Sequence, residues 1–98
     1  MDGKEIRWSL KAIQDKIAIL DYWMNRNKSK AYSQKLDRLF DRALNSAARN
    51  PASGKKTDYR NVRIRIVSHY LIFYLIQEKH IEVVRILDSR RNLSSLNL

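Results

Sequence analysis

The spacing of the apolar residues changes near Pro51, and this change restricts the chain to folds that combine helices with a β-sheet. Before Pro51, apolar residues recur every three or four positions, which is the period of one helix face. After it, apolar and polar residues alternate from Val62 to Ile66, and an unbroken apolar run extends from Tyr70 to Ile76. Alternation is typical of a half-buried strand, and a short β-branched and aromatic run is typical of a strand buried on both faces. The pattern therefore predicts an α+β domain.

Two helices that form an antiparallel hairpin are predicted in the first half. The first helix follows a short strand at Glu5–Trp8, has Ser9 at its N-cap position and ends near Asn25–Asn27. Ser29 is a candidate cap for the second helix, which ends at Asn50 because a residue before proline avoids helical dihedral angles. The apolar stripe predicted for the first helix consists of Leu10, Ile13, Ile17, Leu20 and Met24, widened by Ile19 and Trp23.

Three strands in hairpin succession are predicted after a loop at Ala52–Asn61. The first of them begins at Val62, the second is the apolar run Tyr70–Ile76, and the third is His80–Asp88. Because the second is apolar throughout, we place it in the centre of the sheet. The predicted order is therefore a strand, a helical hairpin and a three-stranded antiparallel meander.

The two faces of the predicted sheet differ. The helical hairpin covers one face, and the alternation places Arg63 and Arg65 together on the other face, which we expect to be bare. The 98 residues are expected to form a single domain. The last ten residues, 89–98, are predicted to be a flexible tail or a short helix.

The balance of charges indicates an anionic partner. Twenty lysine and arginine residues face ten acidic residues, which gives a formal net charge of +10. A field of this sign favours nucleic acid, a ribosome or an acidic protein segment. The chain has no cysteine, which excludes disulfides and thiolate metal sites, and two histidines are too few to favour a metal site. Without a signal peptide or an apolar stretch long enough to span a bilayer, we expect a cytoplasmic protein with no membrane partner and no cofactor.

Several local patterns, taken in order, resemble the RelE/ParE family of bacterial toxins. They are the strand-to-helix junction Trp8-Ser9-Leu10-Lys11-Ala12, the helix end Asn50-Pro51 with basic residues after it, the strand start Val62-Arg63, the run from His69 to Tyr74, and the basic final stretch from Val83 to Arg91. The resemblance covers about residues 5–92. It implies a microbial RNase-like fold, and the toxin of a type II toxin–antitoxin pair that arrests growth and stabilises plasmids.

The resemblance leaves two functional classes open. ParE-like toxins inhibit DNA gyrase without nuclease chemistry of their own, whereas RelE-like toxins enter the ribosome and cut messenger RNA. For the gyrase-inhibiting class, the basic end of the chain is the candidate target surface. The residues assigned to target binding are Arg60, Arg63, Arg90 and Arg91.

The nuclease class would be a metal-independent endoribonuclease that needs a proton acceptor, a cation for the phosphorane and an acid for the leaving oxygen. Lys55 and Lys56 are candidates for the base or a phosphate anchor, and Arg65 and Arg85 are candidates for clamping the scissile phosphate. RelE-like nucleases typically place a tyrosine or histidine just beyond the last strand, and residues 88–93 contain neither. This departure favours the ParE-like class, which has no nuclease activity. Whether the protein is an enzyme stays open.

The expected partner is an acidic, partly disordered antitoxin that folds as it wraps the toxin, so that the two form a hetero-oligomer. Association of the chain with itself is an alternative. A third interpretation is a non-catalytic nucleic-acid-binding module, which would explain the charge but not the family resemblance.

Overall fold

The computed structural model describes residues 3–27 and 30–91 of the chain. Strand β1 (Glu5–Trp8) leads into helices α1 (Leu10–Asn27) and α2 (Lys30–Arg49), and a 3₁₀ turn at Pro51–Ser53 follows. The remaining elements are the strands β2 (Lys55–Lys56), β3 (Val62–Val67), β4 (Tyr70–Ile76) and β5 (His80–Asp88). The predicted α+β order is confirmed. The predicted cap Ser29 and most of the predicted tail, residues 92–98, lie outside the described residues.

The strands form one mixed sheet in the order β1-β5-β4-β3-β2. Strands β3, β4 and β5 form the predicted antiparallel meander, and β4 lies at its centre as the apolar run indicates. Strand β1 pairs in parallel with the first half of β5, from Glu5 opposite His80 to Trp8 opposite Val83. The second half of β5 therefore has no strand neighbour on that side within the described chain.

The loop predicted at residues 52–61 contains a fifth strand, and to that extent the prediction is wrong. Lys55 and Lys56 pair with Ile64 and Arg63 on β3. Two polar residues have no apolar alternation, so the sequence pattern carries no signal for this strand. It forms because the turn at Pro51–Ser53 brings the chain back alongside β3.

Local signals set the start of α1 and the end of α2 as predicted. The Ser9 hydroxyl accepts a hydrogen bond from the Ala12 backbone N–H at 3.0 Å, which caps α1. Helix α2 ends at Arg49, and Asn50 adopts a non-helical backbone with φ of −144° before the proline.

Helix α1 is rotated relative to the predicted orientation of its apolar stripe. Ala12 is buried and Ile19 and Trp23 pack against the core, whereas Leu10, Ile13 and Ile17 are 72, 40 and 54% exposed. Apolar residues occupy more than one side of α1, so helical spacing alone does not choose the buried side. Packing against α2 and β5 makes that choice. The fully buried side chains include Leu36, Phe40, Leu44, Ile72, Tyr74, Ile81 and Val83.

No helix in the described ranges is both long and apolar enough to cross a membrane. The described residues also contain no group of three or more histidine, cysteine or acidic side chains suited to hold a metal ion.

Candidate target-binding cleft

The eight residues predicted to act on a target lie in three places. Arg63 and Arg65 lie beneath the turn that follows α2, where their side chains bond to it. Lys55, Lys56 and Arg60 lie at the β2 margin of the sheet. The remaining three, Arg85, Arg90 and Arg91, lie at the end of β5.

Arg63 and Arg65 point toward the helical layer, so the prediction that they occupy a bare face is wrong. Arg63 Nη1 donates hydrogen bonds to the carbonyls of Ala52 and Gly54, at 2.9 and 3.0 Å. Arg65 Nη2 donates to the Ser46 hydroxyl on α2 at 3.1 Å and also to the Ser53 hydroxyl. Alternation correctly places the two arginines on one face, but it does not indicate which face the helices cover.

These arginines hold the turn at residues 51–54 against the sheet. Tyr74 completes the arrangement, because its hydroxyl donates to the Pro51 carbonyl at 2.6 Å. Burial raises the pKa of the Tyr74 hydroxyl. Neither arginine has a carboxylate partner among the described residues, and neutral oxygens accept their hydrogen bonds instead. The pair therefore supports the turn through its hydrogen bonds.

The β2 margin presents its positive charges to solvent. Lys55, Lys56 and Arg60 are all exposed. Charged side chains on a short edge strand hinder pairing with another chain, because an incoming strand would have to desolvate them. This margin is separated from β5 by β3 and β4, so its lysines do not share a site with Arg85.

The end of β5 and one side of α1 enclose a cleft of about 280 Å³. From α1, Asp15 and Tyr22 line it, and from β5 and the turn after it the lining includes Arg85, Asp88 and Arg91. The cleft exists because β1 stops at Trp8 while β5 continues to Asp88. Helix α1 runs past the unpaired part of β5 and is held to it through Asp15, with the cleft between them.

Two arginine–carboxylate pairs order this cleft. Arg85 donates to both Asp15 oxygens, with Nε–Oδ2 at 2.7 Å and Nη2–Oδ1 at 3.1 Å, and both side chains are largely buried. This hydrogen bonding raises the pKa of Arg85. Arg90 makes a similar two-point contact with Asp88 at 3.0 and 2.8 Å. Arg91 is exposed and has no carboxylate partner in the described part of the chain.

The cleft also contains aromatic groups that the sequence patterns did not mark as functional. Tyr22 is half exposed, and Tyr70 accepts a hydrogen bond from Trp23 Nε1 at 2.7 Å. Burial raises the pKa of the Tyr70 hydroxyl. Neither His69 nor His80 lines the cleft. The sequence did not identify Asp15 as part of the cleft, because a single acidic residue in a helix looks the same as any solvent-exposed acidic residue.

A titration of the Asp88 carboxyl by NMR is expected to give a pKa of about 2, mainly because of its hydrogen bonds with the Arg90 side chain. An aspartate in an unfolded chain has a pKa of about 3.9. The Arg90 contact therefore stabilises the fold above that pH, and the contribution is lost as the pH falls toward about 2.

The matched variants for this titration are Arg90→Ala and Arg91→Ala. Arg90→Ala should return the Asp88 pKa toward its ordinary range, whereas Arg91→Ala should raise it less because Arg91 acts only through its charge. An unchanged Asp88 pKa in Arg90→Ala would contradict the assignment.

The comparisons with known proteins agree with this architecture. A family model described as the ParE toxin of the type II toxin–antitoxin system parDE matches residues 6–93. A solved structure titled "Chromosomal ParDE TA system from P. aeruginosa" is similar in fold, with a TM-score of 0.74 and 17% sequence identity over 87% of this chain and 95% of that chain. A search of curated proteins finds no match. Since the family model spans most of the sequence, the chain belongs to the ParE toxin family of type II toxin–antitoxin systems.

Proposed function

We propose that this toxin arrests growth in the cytoplasm by inhibiting DNA gyrase, and that a cognate acidic antitoxin neutralises it. The family membership supports a toxin with an antitoxin partner. The net charge of +10 supports fast association with an acidic chain. Under this proposal, the cleft at the end of β5 contacts the target through Arg90 and Arg91.

The dispersion of the candidate catalytic residues is the observation that favours a gyrase inhibitor over a nuclease. An RNA-cleaving centre needs its base, acid and cations within hydrogen-bond reach of one phosphate. Lys55 and Lys56 lie on β2, three strand spacings from β5, which corresponds to about 14 Å. Arg65 is engaged with the turn after α2, and Arg85 is engaged with Asp15. A protein-binding mode requires no such convergence.

Two assays on the purified full-length toxin separate the alternatives. One follows supercoiling of relaxed plasmid by gyrase, and the other follows cleavage of messenger RNA on translating ribosomes. We expect loss of supercoiling and intact message. Cleaved message together with normal supercoiling would support the ribosome-dependent endoribonuclease instead.

A pair of charge reversals links that inhibition to the cleft. Arg91→Glu should raise the toxin concentration needed for half-inhibition about tenfold or more, because a repulsive charge replaces an attractive one at the contact. Arg42→Glu changes the net charge equally at an exposed position of α2 outside the cleft, and should change that concentration much less. Equal effects of the two variants would remove the cleft from the proposal.

A further inference from the structure

Tyr22 presents a large aromatic surface to solvent on the α1 side of the cleft. The residue is 50% exposed, and it lines the cleft together with Arg90 and Arg91 from the turn after β5. Water is in contact with the exposed part of this ring, and burying an apolar surface against a partner releases that water at a gain in free energy. Tyr22 is therefore placed to contribute to binding when a partner covers the cleft.

A chain of aromatic contacts connects Tyr22 to the core. Its ring meets Trp23 edge to face, with the ring centroids 5.1 Å apart, and Trp23 makes a second edge contact with Tyr32 at 5.0 Å. Trp23 Nε1 donates a hydrogen bond to the hydroxyl of Tyr70 at 2.7 Å, and Tyr70 is buried on the central strand β4. Because Trp23 is fixed in this way, it supports the Tyr22 ring before a partner arrives, which reduces the entropy lost on binding.

The charges in the cleft favour a protein partner over a nucleic-acid backbone. Its lining contains three arginines and two aspartates, which leaves an excess of one positive charge. Each aspartate binds one arginine at two points, Asp15 with Arg85 and Asp88 with Arg90. Binding of a phosphate backbone depends mainly on excess positive charge. Tyrosine, tryptophan and arginine together are typical of the few residues that dominate the affinity of a protein interface.

Two exposed arginines near Tyr22 indicate the charge of that partner. Arg91 lines the cleft, and Arg26 in the last turn of α1 lies over the Tyr22 ring, 6.0 Å from its centroid. Neither arginine has a carboxylate partner in residues 3–27 and 30–91. Both can therefore bind acidic groups of another protein in the two-point geometry that arginine favours.

We propose that Tyr22 is the aromatic anchor of the target-binding surface. The ring inserts into an apolar hollow of an acidic protein surface, while Arg26 and Arg91 bind carboxylates at the rim of that hollow. Trp23 acts as a positioning residue that holds the ring. The surface thus extends from the end of β5 to the last turn of α1. This inference rests on the proposed function for placing the target at the cleft, but it does not require the target to be gyrase.

Supercoiling by gyrase in the presence of the purified full-length toxin tests the anchor. Tyr22→Ala should raise the toxin concentration needed for half-inhibition at least about thirtyfold, because it removes the ring that fills the hollow. Tyr22→Phe keeps the ring and should stay within about threefold of the wild type. The matched control is Tyr59→Ala, which removes a tyrosine that is 44% exposed outside the cleft and should have an effect below about threefold. Equal effects of the two alanine variants would overturn the proposal.

A charge reversal tests the same surface with every aromatic ring retained. Arg26→Glu should raise the half-inhibitory concentration about tenfold, since it places a negative charge opposite the acidic rim. Arg42→Glu makes the same change at an exposed position of α2 outside the cleft and should have an effect below about threefold. Equal losses in these two variants would show that only the net charge matters and would refute the rim contacts.

Growth after induced expression, at equal amounts of each variant, separates failure of the anchor from failure of the gyrase proposal. Arrest by the wild type but not by Tyr22→Ala, without inhibition of gyrase, would support the anchor and exclude gyrase as the target. Arrest and gyrase inhibition by both proteins alike would refute the anchor and retain gyrase.

Binding of the toxin to a duplex DNA oligonucleotide, followed by fluorescence anisotropy, tests the class of the partner. The affinity of Tyr22→Ala for this DNA should equal that of the wild type. A loss of DNA affinity as large as the loss of inhibition would show that the ring stacks on bases, and would overturn the assignment to a protein partner.

Discussion

Replacing Phe40 by alanine is expected to lower the free energy of unfolding by about 3 to 5 kcal/mol. Phe40 is 0% exposed on α2 and packs edge-to-face on Tyr70 of β4, with ring centroids 5.9 Å apart. It therefore joins the helical layer to the central strand, and its truncation leaves a cavity that the rigid sheet does not fill. Since small domains are stable by only about 5 to 15 kcal/mol, this is a large part of the total.

Thermal and urea unfolding followed by circular dichroism measure this effect. For a domain of this size, the expected loss corresponds to a fall in Tm of at least about 12 °C. The control is Ile66→Ala, which removes an aliphatic side chain that is 62% exposed and should change stability by about 0.5 kcal/mol or less. Similar losses for the two variants would contradict the assignment of Phe40 to the core.

Replacing Gly54 by alanine is expected to cost about 2 to 3 kcal/mol through overpacking. A Cβ atom at this position would overlap the hydroxyl of Tyr74 and lie 2.9 Å from the Cβ atom of Arg63. Tyr74 is fully buried and its hydroxyl is bonded to Pro51, so the ring has little room to move. Gly3→Ala is the matched control, because its Cβ atom would have neighbours no closer than 3.4 Å.

A double-mutant cycle identifies the cause of that cost. Tyr74→Phe alone should lose about 1 kcal/mol with its hydrogen bond to the Pro51 carbonyl. It also removes the atom that the new methyl group would overlap. Gly54→Ala should therefore cost at least about 1 kcal/mol less in the Tyr74→Phe background than in the wild type. Strictly additive urea-unfolding free energies would exclude the proposed clash.

The sequence predicted the elements well because their signals are local. Ser9 caps α1 through a residue three positions away, and Pro51 ends α2 through its immediate neighbour. The apolar run of β4 identified the central strand, since only a strand covered on both faces is apolar throughout. The short β2 was missed, because it depends on pairing with β3 and has no pattern of its own.

The candidate site was predicted less completely. The sequence pattern indicated Arg85, Arg90 and Arg91 at the basic end of the chain, and the structure brings these three into one cleft. It also grouped Arg65 with Arg85 as a phosphate clamp, although the two make separate contacts, with the turn after α2 and with Asp15. It gave no role to Asp15, because the partner of Asp15 lies 70 positions along the chain.

The sequence by itself determined which residues form the two helices and the four longer strands, where most of these segments end, and that Arg63 and Arg65 share a face. These features depend on neighbours within four positions, where the chain's own geometry sets the contacts. Only the tertiary structure decided which face the helices cover, which side of α1 is buried, and where β5 lacks a neighbour. Those outcomes depend on packing between distant segments. The alternation of polar and apolar residues is the same whichever face of the sheet the helices cover, so it does not indicate that face.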